Sequence, residues 1–197
     1  MCQRDRQIEV SPPGVARERV AGLVLAAGAG RRYGGPKAPE FLGQALRVLR
    51  DGGCDPIIAV LGAGARHTRA VVDLAGVQVV ENPDWPEGMA SSLRLGIATA
   101  TRVPQVSAVC VHLVDMPGVS ATAVARLLTQ AHAGCLTRAG YDGAPGHPVV
   151  LGRDHWAEIA TTVRGDQGAR AYLRRHAADV TVVECGDVAA GYDIDER

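Results

Sequence analysis

Three continuous apolar runs, at residues 19–27, 56–62 and 107–118, constrain the fold of this chain more than any other feature. A strand that is apolar at consecutive positions is buried on both faces, which is typical of a parallel sheet covered by helices. Segments with helical spacing lie between the runs, so strands and helices alternate along the chain. This alternation predicts an α/β protein with three α/β/α layers, in which a mostly parallel sheet carries helices on both faces.

The other elements follow from apolar spacing and from the glycines and prolines that interrupt it. Four helices and one more strand are predicted before residue 134, the helices at 40–52, 65–76, 89–101 and 120–134 and the strand at 77–83. Beyond that point the pattern is less regular. It predicts a hairpin with GHPVVL as its return strand, two short helices (WAEIATTV and GARAYLRRHA) and a strand at 179–185.

The domain organisation is simple. Residues 1–18 are charged and contain Ser-Pro-Pro-Gly, which predicts a flexible N-terminal extension. Residues 19–197 are predicted to form a single domain, since the chain of 197 residues has the length of one domain and contains no internal repeat.

The composition argues against several classes of protein. The chain carries 21 basic and 21 acidic residues, so no overall field favours nucleic acid or an anionic membrane. Its five cysteines lack CxxC or CxxH spacing, which argues against a zinc site and favours a reducing compartment. The N-terminal segment lacks the apolar region of a signal peptide, and no apolar stretch approaches the ~20 residues that span a bilayer. We expect a cytoplasmic protein, a monomer or weak dimer, that binds neither nucleic acid nor membrane.

The first apolar run ends in a segment rich in glycine and basic residues, GAGRRYGGPK at 28–37. Glycines let backbone N–H groups approach a phosphate closely, and the arginines and Lys37 add full charges. The segment is not a P-loop, because Ala38 stands where the hydroxyl residue belongs, and Tyr33 interrupts the G-x-G-x-x-G pattern. A solvated surface turn is the alternative, but the position directly after a buried strand favours a phosphate site.

Acidic residues stand at two other notable places, after the third apolar run and near the C-terminus. Asp115 follows the third apolar run, and Ser120 can already cap the next helix. We therefore interpret Asp115 as an Mg²⁺ ligand, because Mg²⁺ takes one or two carboxylates together with substrate phosphates. Asp193 and Asp195 lie in the C-terminal GYDIDER, which by itself is typical of a solvated acidic tail.

Two further segments leave a structural and a functional interpretation open. The stretch ENPDWPEGMASSLRLG at 81–96 combines a proline-rich turn with a helix start that carries two serines, which suits either a polar ligand or a helix cap. The stretch GAPGHPVVLGRDHW at 143–156 holds His147 between glycine and proline, where the imidazole either faces a substrate or remains structural.

These segments resemble motifs of a known family. LAAGAGRRYGGPK resembles the LAAGxGxRxGxxK signature of nucleotidyltransferases with a Rossmann-like α/β fold, VDMP resembles that family's GDMP, and GYDIDER resembles its DIDTPED segment. ENPDWPEGMASSL, GHPV and GDQGAR are similar to motifs of the molybdenum-cofactor cytidylyltransferase branch. The resemblance covers residues 20–195, and it departs from the family in KAPEFLGQALRVL, which lacks a Gly-x-Pro-Leu element.

The resemblance implies a role for each matching residue. Arg32, Lys37 and Asp115 would be catalytic, and Asp115 and Asp193 would hold Mg²⁺. The residues expected to bind the nucleotide are Leu25, Ala26, Ala27, Gly28, Ala29, Gly30, Arg32, Lys37, Asn82, Ser91 and Ser92. Those expected to bind the acceptor are Gly146, His147, Pro148, Asp166 and Arg170.

The activity implied by the resemblance is transfer of CMP from CTP to a molybdopterin-type molybdenum cofactor, with release of pyrophosphate. The Leu-Ala-Ala-Gly at 25–28 favours CTP, and an apo-molybdoenzyme of the xanthine dehydrogenase type is a further expected partner. Two alternatives stay open. One is a nucleotidyltransferase acting on a sugar phosphate or another small phosphate monoester, and the other is a catalytically weak paralogue that binds and delivers the cofactor.

Overall fold

The computed structural model describes residues 19–196, which contain seven strands and six α-helices. The strands are β1 (Arg19–Ala26), β2 (Ile57–Leu61), β3 (Val77–Glu81), β4 (Val106–Leu113), β5 (Leu136–Tyr141), β6 (Ala144–Gly152) and β7 (Val180–Glu184). The helices are α1 (Ala38–Asp51), α2 (Ala65–Val71), α3 (Met89–Thr101), α4 (Ala121–Leu128), α5 (Trp156–Thr162) and α6 (Arg170–Arg175). The predicted N-terminal extension, 1–18, lies outside the described residues.

All seven strands form one sheet in the order β3-β2-β1-β4-β6-β5-β7. β1 pairs in parallel with β2 and with β4, and β2 pairs in parallel with β3. β6 is antiparallel to β5, because it returns directly from that strand as the second strand of a hairpin, and it is also antiparallel to β4. β7 pairs in parallel with β5 at one edge. The prediction of a mostly parallel sheet is therefore confirmed.

Helices cover both faces of this sheet, as the continuous apolar runs predicted. Val24 and Ala26 of β1 pack on the side of α1, α2 and α4, whereas Leu23 and Leu25 pack on the side of α3, α5 and α6. Both sets are buried, so side chains on both faces of β1 are shielded from solvent and are apolar. A valine or leucine side chain contributes about 1.5–3 kcal/mol when it is fully buried. The three-layer, Rossmann-like arrangement is thereby confirmed.

A glycine sets the close approach of α3 to the sheet. A Cβ atom added at Gly96 would lie 2.5 Å from the side chain of Leu23, so only a residue without a side chain lets α3 pack this tightly on β1. The close contact fixes the direction of α3 across the central strand.

Several elements end at positions that differ from the predicted ones. α2 ends at Val71 rather than at 76, because Val72 is extended and the carboxylate of Asp73 accepts a hydrogen bond from the N–H of Ala75 at 3.0 Å. β4 ends at Leu113 rather than at 118, so the last residues of the predicted strand lie in the turn that follows it. α4 ends at Leu128 rather than at 134. None of the described helices is long and apolar enough to cross a membrane.

His112 is a buried polar residue on β4. Its side chain is on the α1 and α4 side of the sheet and is only 2% exposed, and within residues 19–196 its Nδ1 has no hydrogen-bond partner. Burial, with a smaller contribution from His147, lowers the pKa of His112 from 6.5 to about 3. The imidazole is therefore neutral in the folded protein at every pH above that value.

This lowered pKa predicts a loss of stability in mild acid. Between pH 6.5 and about 3 the unfolded chain binds a proton at His112 that the folded chain rejects, so the free energy of unfolding falls as the pH falls. From pH 7 to pH 5 this one group removes about 2 kcal/mol. Urea unfolding at both pH values measures the change, and His112→Gln should remove that part of the pH dependence. His67→Gln, at an exposed position, is the control; equal pH dependence in wild type and His112→Gln would contradict the prediction.

Candidate active site

The predicted phosphate loop and the turn that carries Asp115 begin side by side. β1 and β4 are parallel neighbours, with Leu25 in register with Leu113, so the segments that follow them leave the same edge of the sheet. The N–H of Val114 donates a hydrogen bond to the carbonyl oxygen of Leu25 at 3.3 Å. Because β2 lies on the other side of β1, this edge is a point where the strand order reverses, which is where open α/β sheets bind ligands.

The glycines of the loop allow a turn that other residues would block. The carbonyl oxygen of Gly30 accepts hydrogen bonds from the N–H groups of Gly34 and Gly35, at 3.0 Å each. Gly30 has a φ of +57°, and a Cβ atom there would collide with the carbonyl oxygen of Gly35. Gly28 is exposed, and a Cβ atom added to it would contact nothing within 4 Å, so its backbone stays open to a ligand.

The nucleotide-binding residues predicted before Gly28 are buried. Ala26 and Ala27 belong to the packed core, and the carbonyl oxygen of Ala27 accepts a hydrogen bond from the N–H of Ala63 at 3.0 Å. Leu25 is also buried, but its side chain lines a cleft on the α3 side of the sheet. Ala29 and Gly30 are half-buried. A role for these residues in nucleotide binding stays a prediction.

Tyr33 is a loop residue that sequence reasoning did not select. It is buried, its hydroxyl lies 2.6 Å from a carboxylate oxygen of Glu40, and its ring packs edge-on against Phe41. The Nζ of Lys37 lies 5.8 Å from the centre of the same ring. Tyr33 thus anchors the loop to the first turn of α1, which explains why a bulky residue stands where dinucleotide-binding loops place their third glycine.

Lys37 and Asp115 form the central contact of the site. The Nζ of Lys37 lies 2.8 Å from a carboxylate oxygen of Asp115, and the two side chains are only 11% and 23% exposed. The backbone of Lys37 is held at the start of α1, where its carbonyl oxygen accepts hydrogen bonds from Glu40 and Phe41. The structure therefore brings a predicted catalytic cation against a predicted metal ligand, although the two are far apart in the sequence.

Asp195 completes a charge cluster that consists of Arg32, Lys37, Asp115 and Asp195. The guanidinium of Arg32 donates two hydrogen bonds to its carboxylate, at 2.8 and 3.1 Å, and the Nζ of Lys37 lies 3.7 Å from it. The side chains of Arg32 and Asp195 are 72% and 42% exposed, so this pair is open to solvent. Each cation of the predicted triphosphate site thus has an acidic partner from this chain.

The C-terminal segment is fastened to the turn that follows β4. The N–H of Ile194 donates to the carbonyl oxygen of Asp115 at 3.0 Å, and the N–H of Ala190 donates to that of Gly118 at 2.9 Å. Asp193 lines the same cleft as Met116, the residue after Asp115. The oxygen donors of Asp115 and Asp193 are of the kind that Mg²⁺ prefers, and two carboxylates are enough when phosphates supply the rest. Among residues 19–196 there is no group of three or more acidic, histidine or cysteine side chains placed to hold a metal by itself.

Asn82, Ser91 and Ser92 form a buried hydrogen-bonded cluster. The amide of Asn82 donates to the hydroxyl oxygens of Ser91 and Ser92 at 2.8 and 3.0 Å, and its carbonyl accepts from the N–H of Asp84 at 3.0 Å. The Ser91 hydroxyl also lies 2.9 Å from the carbonyl oxygens of Asp84 and Gly88. These groups hold the turn between β3 and α3 in place, and their predicted contact with the base stays a prediction.

Four of the five predicted acceptor residues line a cleft of about 230 Å³ on the α3 and α6 side of the sheet. Gly146, His147, Asp166 and Arg170 all line it, together with Asp193, whereas Pro148 is not among the lining residues. Gly88 has a φ of +103° and a Cβ there would lie 2.5 Å from the carboxylate of Asp166, so the turn at 165–167 packs over the start of α3. Met89 and Leu93 of α3 also line the cleft, so the segments 81–96 and 143–156, whose roles the sequence left open, meet there.

His147 is neutral at physiological pH. Burial lowers its pKa from 6.5 to about 4; a backbone hydrogen bond with Val111 and the charge of Asp115 act in the opposite direction, and the cations Arg138 and Arg170 lower it further. Its Nδ1 is buried and finds no hydrogen-bond partner within the described part of the chain. Arg138, which also lines the cleft, is a second residue that sequence reasoning missed, since nothing in LTRAGY distinguishes it from a surface arginine.

The serine cluster predicts unequal effects of two neighbouring substitutions. Ser91→Ala removes the hydroxyl that contacts the carbonyl oxygens of Asp84 and Gly88 and the amide of Asn82. We expect this substitution to lower the free energy of unfolding by about 1–3 kcal/mol, because these buried groups lose a hydrogen-bond partner. Ser92→Ala, the matched control, removes one contact with Asn82 and should cost about 1 kcal/mol or less. Urea denaturation of both variants tests this order, and a larger loss in Ser92→Ala would contradict it.

Comparisons with known proteins agree with this arrangement. Residues 22–180 match the family model described as the MobA-like NTP transferase domain. A nicotine blue oxidoreductase of Paenarthrobacter nicotinovorans is 37% identical in an alignment of 190 residues. The alignment covers 89% of this chain and 92% of that protein.

Solved structures give the same fold. Rv0371c of Mycobacterium tuberculosis is 29% identical with a TM-score of 0.78, over 90% of this chain and 93% of that one. A structure of Rv0371c in complex with manganese has a TM-score of 0.72 at 29% identity, over 89% and 94% of the two chains. A nucleotidyl transferase of Methanothermobacter thermautotroptrophicus, at 19% identity, has a TM-score of 0.73 over 85% and 88% and supports the fold alone.

Proposed function

The chain belongs to the family of MobA-like NTP transferase domains, and on that premise we propose that it transfers CMP from CTP to a molybdopterin-type molybdenum cofactor, with Mg²⁺, and releases pyrophosphate. The observation that carries the proposal is the 2.8 Å contact between Lys37 and Asp115. It places the cationic loop and a carboxylate at one edge of the sheet, directly beside the cleft.

The reaction exchanges one phosphorus–oxygen bond for another. A phosphate oxygen of the acceptor forms a bond to the α-phosphorus of the nucleotide, the bond from that phosphorus to the bridging oxygen breaks, and pyrophosphate leaves with the electron pair. Positioning and charge stabilisation supply most of the acceleration in such transfers.

The residues of the loop serve this step in separate ways. The exposed N–H groups around Gly28 would face the phosphates, and Arg32 would hold their outer oxygens with a planar pair of donors. Lys37, largely buried beside Tyr33, would stabilise the negative charge that grows on the leaving pyrophosphate.

Asp115 and Asp193 would hold the divalent cation, whose chemistry is to neutralise phosphate charge. Support for a divalent cation comes from Rv0371c, whose structure has been determined in complex with manganese. The choice of Mg²⁺ and of CTP rests on the resemblance in VDMP and in LAAG.

Pyrophosphate release is the direct test. The full chain is incubated with Mg²⁺, molybdopterin bearing molybdenum, and each of the four nucleoside triphosphates, and we expect release to be fastest with CTP. Tight binding of the cofactor without release from any triphosphate would favour the delivery alternative, and release with a sugar phosphate in place of molybdopterin would favour the other transferase alternative.

Asp115→Ala should lower the rate of pyrophosphate release by at least about a hundredfold, because one carboxylate that holds the cation is lost. Asp51→Asn, at an exposed position at the end of α1, is the matched control and should keep full activity. Circular dichroism and thermal melting establish that each variant is folded. Turnover that survives in folded Asp115→Ala would contradict the metal assignment.

Asp195 should compete with the triphosphate for Arg32. Exposed ion pairs are worth only about 0–1 kcal/mol, so phosphates can displace this carboxylate at small cost. In the absence of divalent cations we expect Asp195→Asn to tighten CTP binding by about two- to fivefold, as measured by calorimetry. Asp51→Asn is again the control. Weaker binding in metal-free Asp195→Asn would mean that the carboxylate supports the nucleotide site.

A second candidate function is a reduction carried out in the same cleft. The relative from Paenarthrobacter nicotinovorans is named as an oxidoreductase, and the cleft is lined by apolar side chains and by the thioethers of Met89 and Met116, which suit a conjugated ring. We propose that in this case a reduced nicotinamide dinucleotide would donate a hydride to the ring and solvent would supply a proton. Loss of the reduced nicotinamide absorbance upon addition of a quinonoid dye, with no pyrophosphate release in the transferase assay, would favour this candidate.

A further inference from the structure

Two arginines face the cleft without an acidic partner. Arg138 on β5 and Arg170 at the start of α6 both line it, and within residues 19–196 neither forms an ion pair. Asp166 and Asp193 line the same cleft but are not paired with either guanidinium. Other basic groups of the site behave differently, since Arg32 and Lys37 each contact a carboxylate.

Arg138 is held in place and yet keeps an unused donor. One terminal nitrogen of its guanidinium donates to the carbonyl oxygen of Gly146 at 3.2 Å, whereas its Nε is buried and has no partner among the described residues. Burial and the nearby charge of Arg170 both lower the pKa of Arg138. An arginine that is half-buried beside another cation is unfavourable unless an anion joins it.

The rest of the cleft is complementary to an apolar body. Leu93, Val111 and Leu173 line it on the α3 and α6 side, with the thioether of Met89. His147, which is neutral, lies close enough to both arginines for their charges to lower its pKa. The cleft thus joins an apolar wall to a cationic end.

We propose that Arg138 and Arg170 form an oxyanion subsite, which fixes a phosphate or carboxylate group carried by the ring-bearing molecule that enters this cleft. Arg138 is then a specificity-determining residue for the acceptor. Naming that molecule the acceptor rests on the proposed function, whereas the anion binding does not. The subsite is separate from the triphosphate loop, which has Arg32 and Lys37 as its own cations.

Calorimetry with phenyl phosphate tests the subsite on the full chain without nucleotide. Phenyl phosphate combines an aromatic ring with an oxyanion, benzoate replaces the phosphate by a carboxylate, and benzyl alcohol keeps the ring without the charge. We expect at least one of the two anions to bind and benzyl alcohol to bind at least about tenfold more weakly. Absence of binding by both anions would overturn the proposal.

The variants locate the bound anion. Arg138→Gln and Arg170→Gln should each weaken binding at least about tenfold, and Arg138→Lys should restore part of the loss because it keeps a charge. Arg66→Gln, at an exposed position on α2, is the matched control and should change nothing. A loss in Arg32→Gln without a loss in Arg138→Gln or Arg170→Gln would place the anion on the triphosphate loop and overturn the subsite. Arg170 is exposed, so its variant keeps the test decisive if Arg138→Gln does not fold.

Turnover gives an independent measurement. If pyrophosphate release occurs, Arg138→Gln should raise the KM for the acceptor at least about tenfold and leave the KM for CTP unchanged. Equal changes in both constants would contradict a role in acceptor recognition. The calorimetric test does not require turnover, so failure of the proposed reaction and failure of the subsite remain distinguishable.

Discussion

The ion pair between Lys37 and Asp115 is the contact on which the arrangement of the site depends. It joins the loop after β1 to the turn after β4, and the carbonyl oxygen of Asp115 in turn holds the C-terminal segment through Ile194. An ion pair that is largely shielded from water is weak evidence for stability, because desolvation offsets much of the attraction. Its consequence here is positional: with either side chain removed, the other charge would be left at the base of the site, and the loop after β1 would lose this contact with the turn after β4, whereas the backbone hydrogen bond of Ile194 would remain.

Topology explains why such distant residues can meet. β2 and β3 extend the sheet from one side of β1, and β4 then returns to the other side, so the segments that follow β1 and β4 diverge above a crevice. The antiparallel hairpin of β5 and β6 widens the sheet beside β4 and supplies one wall of the cleft. The start of α3 and the turn at 165–167 supply the other wall, and the close packing permitted by Gly88 and Gly96 keeps them there.

Much of the fold could be predicted because its determinants are local. A continuous apolar run such as 19–27 requires burial on both faces, and its alternation with segments of helical spacing predicts the parallel sheet and its two helical layers. The predicted ends of α2 and β4 were wrong. An Asx turn at Asp73 ends the helix and a turn after Leu113 ends the strand, although the apolar spacing continues beyond both points. Tyr33 and Arg138 could not be selected, since the role of each arises from neighbours that only the folded chain brings together, Glu40 and Phe41 for the first and Gly146 and Arg170 for the second.

The charges of the site explain why a divalent cation and a triphosphate would be expected to bind together. Arg32 and Lys37 are balanced by Asp115 and Asp195, so the ligand-free cluster is close to neutral. A triphosphate adds several negative charges, which two cations already engaged with carboxylates cannot neutralise. If Asp115 and Asp193 hold a divalent ion as proposed, it would supply the missing charge, and Lys37 would then be able to face the phosphates. Bound to a divalent ion, Asp115 and Asp193 would thus favour the phosphates, whereas Asp195 would still compete with them for Arg32.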